Sequence, residues 1–222
     1  MAQTQKRQGV NITKELANYD AINSADEYWR SWWQKINEIC LPRQAYITEG
    51  DSTPDGDQYD RIYDTTAVGA VDGLASMMTS RLTPSSGEWQ KWGVAPELQD
   101  DEESIAWMQA MSEICMRYKA SSTFYRDVHD VNIDISGPGT GCLYLGHSQS
   151  RSKFFDYKHI ELGSYSFQED AHGVADSMWR IIKATAMQAR EMFPEGNFGA
   201  KMTANEGGDQ PSHYTKKFKI LQ

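Results

Sequence analysis

Residues 135–146 read ISGPGTGCLYLG. Gly137, Gly139, Gly141 and Gly146 crowd around Pro138, Thr140 and a short apolar run. Glycines this dense beside a threonine raise the possibility of a phosphate-cradling loop. Such a loop works when a strand feeds a glycine turn that opens a helix, so that free N–H groups point at the anion. Here the order is the reverse. Phe124, Val128, Val131 and Ile135 recur at helical spacing before the glycines, and a period of two begins at Cys142 after them. The helix end at the glycines is therefore a C-terminus, whose partial charge is negative and repels phosphate. No lysine follows Gly141, where a Walker loop needs GK[ST]. The stretch is expected to be a helix stop and tight turn, with Gly137, Gly139, Thr140 and Gly141 as its structural residues.

Upstream of the turn the pattern is helical. Residues 13–40 carry Leu16, Tyr19, Ile22, Trp29, Trp32, Trp33, Ile36 and Ile39 at steps of three and four. Ser24-Ala25-Asp26-Glu27 has capping-box spacing, which predicts a break and restart, and Leu41-Pro42 ends the segment. Flat indole rings stack on sugars, but helical spacing favours a core or subunit contact for Trp32 and Trp33. Residues 43–63 form a polar loop. Within it Asp51, Thr53, Asp55, Gly56 and Asp57 mimic half of an EF-hand loop, yet the twelfth position, which needs a bidentate Glu, is Ile62. A solvated acidic loop is expected there.

Residues 65–82 form a further helix, capped by Asp64 or Thr65, with Val68, Val71, Leu74, Ala75, Met78 and Leu82 as its apolar stripe. Gly69, Ala70, Gly73 and Ala75 would let another backbone come close. A short strand is predicted at 89–94, then helices at 101–120 and 122–135, the first with Asp101, Glu102 and Glu103 well placed against its N-terminal dipole.

Downstream of the turn, strands are predicted at 142–146, 154–160, 164–168 and 174–184. The last two are joined by the hairpin turn Glu169-Asp170-Ala171-His172-Gly173. A short helix at 185–193, a loop at 197–211 and a strand at 212–221 complete the chain. Helices first (11–135) and a mainly antiparallel β region after (142–222) predict an α+β fold.

Composition narrows the function. The 222 residues carry 22 Lys and Arg against 31 Asp and Glu, a formal charge of -9. That balance argues against a protein that wraps DNA, which needs a basic stripe. Mean hydropathy is -0.66, and no apolar run reaches the roughly 18 residues of a membrane span. The first residues, MAQTQKRQGVNI, lack the apolar core of a signal peptide. Cys40, Cys115 and Cys142 are few, odd in number and far apart, as in reduced cytosolic chains. His129, His147, His159, His172 and His213 show no zinc spacing, so no metal or cofactor is expected. Asp127, Asp130 and Asp134 share a helix face, expected as an exposed acidic one. No GxSxG or local Cys-His motif occurs, and no catalytic residue is assigned. Lys216, Lys217 and Lys219 around Phe218 are expected to lie on one face of an exposed strand.

Three segments in order resemble the portal, or head-to-tail connector, proteins of short-tailed bacteriophages. Residues 63–92, YDTTAVGAVDGLASMMTSRLTPSSGEWQKW, are similar to that family's D-T/S-T-A, small-residue helix with LAS, LTP and Trp-bearing strand. Residues 122–145, STFYRDVHDVNIDISGPGTGCLYL, resemble its N-F-Y, helix, D-L, GTG and apolar strand, matched here by Phe124-Tyr125, Asp134 and Gly139-Thr140-Gly141. Residues 162–193 resemble its hairpin and short helix, with Gly173, Gln188 and Phe193 in the matching places. Pro138 departs from the pattern, where the family carries an apolar aromatic residue.

The resemblance implies a structural subunit, not an enzyme, in a ring of twelve copies at one capsid vertex. DNA would enter through that ring, driven by a terminase motor, and leave into the tail. Implied partners are further copies of itself, capsid protein, the terminase motor, a tail adaptor and passing double-stranded DNA read without sequence specificity, with no membrane. The place implied is the virion portal vertex, assembled in the bacterial host cytoplasm. Family members are well over twice this length, so residues 1–222 are expected to be mostly the wing, with stem, clip and crown mainly downstream. Few Lys and Arg suit a conduit, because each neutralised phosphate adds affinity and hinders sliding. A closing ring needs heterologous contacts, and Trp32, Trp33, Met77 and Met78 are the expected contributors. Two alternatives stand beside this: a nucleotide-binding enzyme using residues 137–141, and a generic virion scaffolding protein.

Overall fold

The computed structural model describes residues 12–44, 47, 64–147, 155–194, 196 and 217–221. The architecture is α+β, as the order of periodicities predicts. The chain divides into two compact units, Trp29–Leu162 and, separately, Met1–Tyr28 with Gly163–Gln222.

Two helices precede the first proline stop, α1 (Ile12–Ala25) and α2 (Glu27–Cys40), broken only at Asp26. The break falls where expected, but Ser24 does not act as a capping residue. Its hydroxyl turns back to donate to the Asp20 carbonyl at 2.8 Å, a local bond that competes with capping. α2 buries amides, not indoles: Gln34 and Asn37 are buried while Trp29 and Trp32 are exposed. Gln34 Oε1 accepts from the Ile47 N–H at 2.8 Å, and Asn37 Nδ2 donates to the Gln44 carbonyl at 3.1 Å. The two amides thus fasten the chain that leaves α2 through the 3₁₀ turn Pro42–Gln44.

The unit Trp29–Leu162 then builds α3 (Thr66–Leu82), α4 (Glu102–Ser121), α5 (Phe124–Ser136) and the antiparallel hairpin β1 (Cys142–His147) and β2 (Phe155–Ile160). Thr65 holds the N-cap position of α3 without a side-chain cap bond, and Asp64 just before it satisfies the first turn, its Oδ1 accepting from the Thr66 N–H at 2.9 Å and the Thr66 hydroxyl at 2.7 Å. These bonds hold the Asp64 carboxyl below its usual pKa. Asp101 takes a bond from the Ser104 hydroxyl at the start of α4 and is lowered likewise. Of the stripe expected on α3, Val71 and Ala75 are buried, whereas Leu74 and Leu82 are exposed. α3 packs along α5, and β2 lies on α5 from another side. Phe124 centres the core: Trp89 stacks on it at 5.8 Å, and Tyr157 meets it edge-on at 4.9 Å.

The strand expected at 89–94 does not form. The segment is anchored by its aromatics and by α4 in place of a ladder partner. The Trp92 N–H donates to Ser112 Oγ at 2.9 Å, and Trp89 Nε1 donates to Tyr125 Oη at 3.3 Å. Burying an aromatic ring gains more than one strand hydrogen bond.

The second unit contains α1, β3 (Tyr165–Glu169), β4 (Ala175–Thr185), α6 (Ala186–Met192) and β5 (Lys217–Leu221). The sheet is antiparallel in the order β3-β4-β5. The β3–β4 turn forms as predicted: Asp170 Oδ1 accepts from the N–H groups of His172 and Val174, and Gly173 takes φ +75°. A full capping box starts α6, with the Thr185 hydroxyl accepting from the Gln188 N–H and the Gln188 side chain from the Thr185 N–H. Ala184, Ala186 and Ala189 are buried against Ile182 and Ile220. The acidic loop at 51–62, the loop at 197–211, Lys216 and His213 lie outside the described residues.

Candidate functional site

The glycine turn between α5 and β1 is built as a joint. The Gly137 N–H donates to the Ile133 carbonyl at 3.0 Å, and the Gly139 N–H to the Asp134 carbonyl at 3.1 Å. Those two donors, which a phosphate loop would present to its anion, are spent on the end of the helix. The positive φ falls at Gly139, +91°, the third residue after Ser136, the last helical one. Gly141 serves a different need. A Cβ there would lie 2.9 Å from the Val131 carbonyl oxygen, so the start of β1 touches the α5 backbone. A Cβ on Gly137 would come within 3.1 Å of Leu41 Cδ1. Thr140 and Pro138 are half-buried, and nothing in the structure explains the proline.

Beside the joint lies a pair of ionisable groups. His159 Nε2 on β2 is 2.6 Å from Asp134 Oδ2 on α5. The acidic face expected for Asp127, Asp130 and Asp134 is not an exposed one. Asp127 and Asp134 are buried, and Asp130 is half-buried. The reason is that α5 is enclosed by α3 and the hairpin on several sides, so its face includes buried polar partners. Sequence spacing missed this pairing because His159 stands 25 positions from Asp134 in a strand of another period. Further along α5, Asn132 Nδ2 donates to Thr79 Oγ1 at 2.9 Å, and His129 Nδ1 lies 3.2 Å from the same oxygen. The Thr79 hydroxyl donates its proton to the Ala75 carbonyl at 2.9 Å, which makes His129 Nδ1 the donor in that contact.

The four residues expected at a subunit contact fall in different settings. Trp32 is 46% exposed and Met77 55% exposed. Trp33 is half-buried. Met78 is half-buried and turns toward α5, where its sulfur accepts from Ser136 Oγ at 3.6 Å. Lys35 Nζ sits 5.1 Å over the Trp32 ring. Around Met77 the exposed side of α3 also carries Leu74, and an added Cβ on Gly69 or Gly73 would meet nothing within 4 Å. The close approach expected of those glycines is therefore not made within the described residues. No helix among the described residues is long and apolar enough to cross a membrane.

Lys119 is half-buried against the aromatic core. Its Nζ lies 4.5 Å above Trp89 and 5.3 Å from Phe124, and bonds the Gln90 side-chain oxygen. Loss of hydration on burial lowers its pKa, while ring faces and an amide oxygen satisfy the charge. The Cys115 thiol, one turn earlier on α4, acts on it electrostatically in the opposite sense.

The family model described as bacteriophage head to tail connecting protein matches residues 13–222. The chain is also similar to a probable portal protein of Bordetella phage BPP-1, with 24% identity over 183 residues. That alignment takes in 80% of this chain and 32% of the relative. The chain thus spans about a third of the length of the curated relative it matches.

Proposed function

Because the chain belongs to the bacteriophage head to tail connecting protein family, we propose that it forms the wing region of a portal subunit. The subunit closes into a ring of twelve at one capsid vertex, a conduit through which the genome is packaged and later ejected. Its partners are further copies of itself, capsid protein, the terminase motor and a tail adaptor, with double-stranded DNA passing through. It acts in the virion, after assembly in the host cytoplasm, and catalyses no reaction. The family match over residues 13–222 carries this reading. The formal charge of -9 supports it as well, since a surface that lets DNA slide is better without many phosphate contacts.

Closed rings are made by heterologous contacts, in which two different faces of one subunit meet. Exposed apolar side chains are the natural material for such faces. Met77 on α3 and Trp32 on α2 supply the exposed part of the contact surfaces, with the half-buried Met78 and Trp33 as further contributors. Electron microscopy of the whole protein tests the reading. Rings with an axial opening are expected; a protein that stays monomeric under all conditions would overturn it. An assembly without an opening would favour a scaffolding role. The nucleotide reading has its own test: saturable ATP or GTP binding that Gly139→Ala removes. No such binding is expected, because the Gly137 and Gly139 N–H groups are already bonded within the chain.

A further inference from the structure

Asp134 is an awkward place for a buried charge. It stands in the last turn of α5, where the helix dipole opposes a carboxylate. The side chain is 1% exposed, and its Oδ1 has no hydrogen-bond partner. Compensation comes through Oδ2 from His159, itself 13% exposed. The other groups facing the imidazole reinforce the same charge. Asp130 lies one turn earlier on α5, and Glu161 just beyond β2. On β1 the residue opposite His159 is Leu143, which is uncharged. Lys158 alternates to the other face of β2, where it is exposed.

We propose that His159 and Asp134 form a proton-operated latch, which seats β2 on α5 while the imidazole is protonated and loosens that seating when the proton leaves. The latch sits beside the joint at Gly139 and Gly141, so it controls how firmly the hairpin follows the helix. Burial is the largest influence on His159 and lowers its pKa. The Asp134 hydrogen bond and the charges of Asp134, Asp130 and Glu161 together outweigh burial, and the pKa is raised above its usual value. A histidine raised on folding gives its full stabilisation below the unfolded value of about 6.5, and loses it as pH rises through the folded value. The latch is therefore closed in mild acid and weakens as pH rises above about 6.5, through the folded value. Losing the proton takes the opposite charge from beside a buried carboxylate and leaves it at most a neutral N–H donor.

The experiment is an NMR titration of the His159 ring, with amide hydrogen exchange followed across the same pH range. The ring is expected to titrate above about 6.5. After correction for the intrinsic pH dependence of exchange, opening at the β2 amides should rise by up to about tenfold for each unit of that elevation, while α4 amides stay unchanged. His159→Gln should make exchange in β2 independent of pH, and Asp134→Asn should lower the pH at which the ring titrates. If Asp134→Asn does not fold, the wild-type titration and His159→Gln still decide. A wild-type ring that titrates at or below the unfolded value, or β2 exchange that stays flat through the ring's titration, would overturn the latch.

Discussion

At the scale of the residue, the three glycines of the turn are not equivalent, and substitution separates them. Gly141→Ala places a methyl carbon 2.9 Å from the Val131 carbonyl. Overpacking against backbone that cannot yield is expected to cost about 1–3 kcal/mol in a urea melt of the chain. Gly139→Ala meets no atom within 4 Å but must hold φ +91°, and the left-handed penalty alone should cost about 1–2 kcal/mol. Gly73→Ala is the contrasting case. It lies within α3 with open space around it, so alanine should stabilise the isolated chain by up to about 1 kcal/mol. A loss of stability in Gly73→Ala would mean that the α3 face is occupied.

Elements were legible to different degrees. Helix and strand periods marked α1 to α6 and β1 to β4 within a residue or two, because the core residues repeat at the period of each element. Thr185 and Gln188 close a capping box at α6, and Thr185→Ala should lower the stability of its unit by about 1 kcal/mol, read by thermal melting. The residues at 89–94 misled because Trp89 and Trp92 look like strand formers, yet the Trp89 ring is satisfied by α5 and the Trp92 backbone N–H by α4. α2 is a different case. Its periodic indoles left core and subunit contact both open; Trp29 and Trp32 are exposed, and Gln34 and Asn37 are inside because the backbone after α2 needs donors and acceptors. Asp134 and His159 were unreadable as a pair, since neither element's periodicity says which strand will lie across α5. The exposed edges of the helices carry the residues proposed for assembly, and no local pattern distinguishes those from a core stripe.

At the scale of the whole molecule, assembly and folding should respond to different substitutions. Met77 is exposed on α3, so Met77→Asp is expected to leave the melting of the isolated chain nearly unchanged, within about 0.5 kcal/mol. The same change should reduce the yield of rings counted by electron microscopy or native mass measurement. Rings formed at wild-type yield by Met77→Asp would remove that residue from the proposed contact. The contact of Gly141 with Val131 has a consequence for length variation. It gives β1 a fixed origin, and side chains alternate from that origin with a period of two. Inserting one residue between Gly137 and Gly139 changes only the span of the bend. One residue inserted between Gly141 and Leu143 reverses the parity of the strand, turning inward what faced out and taking Leu143 from its place opposite His159. Natural insertions and deletions in this region should therefore collect on the helix side of Gly141 and avoid the strand side.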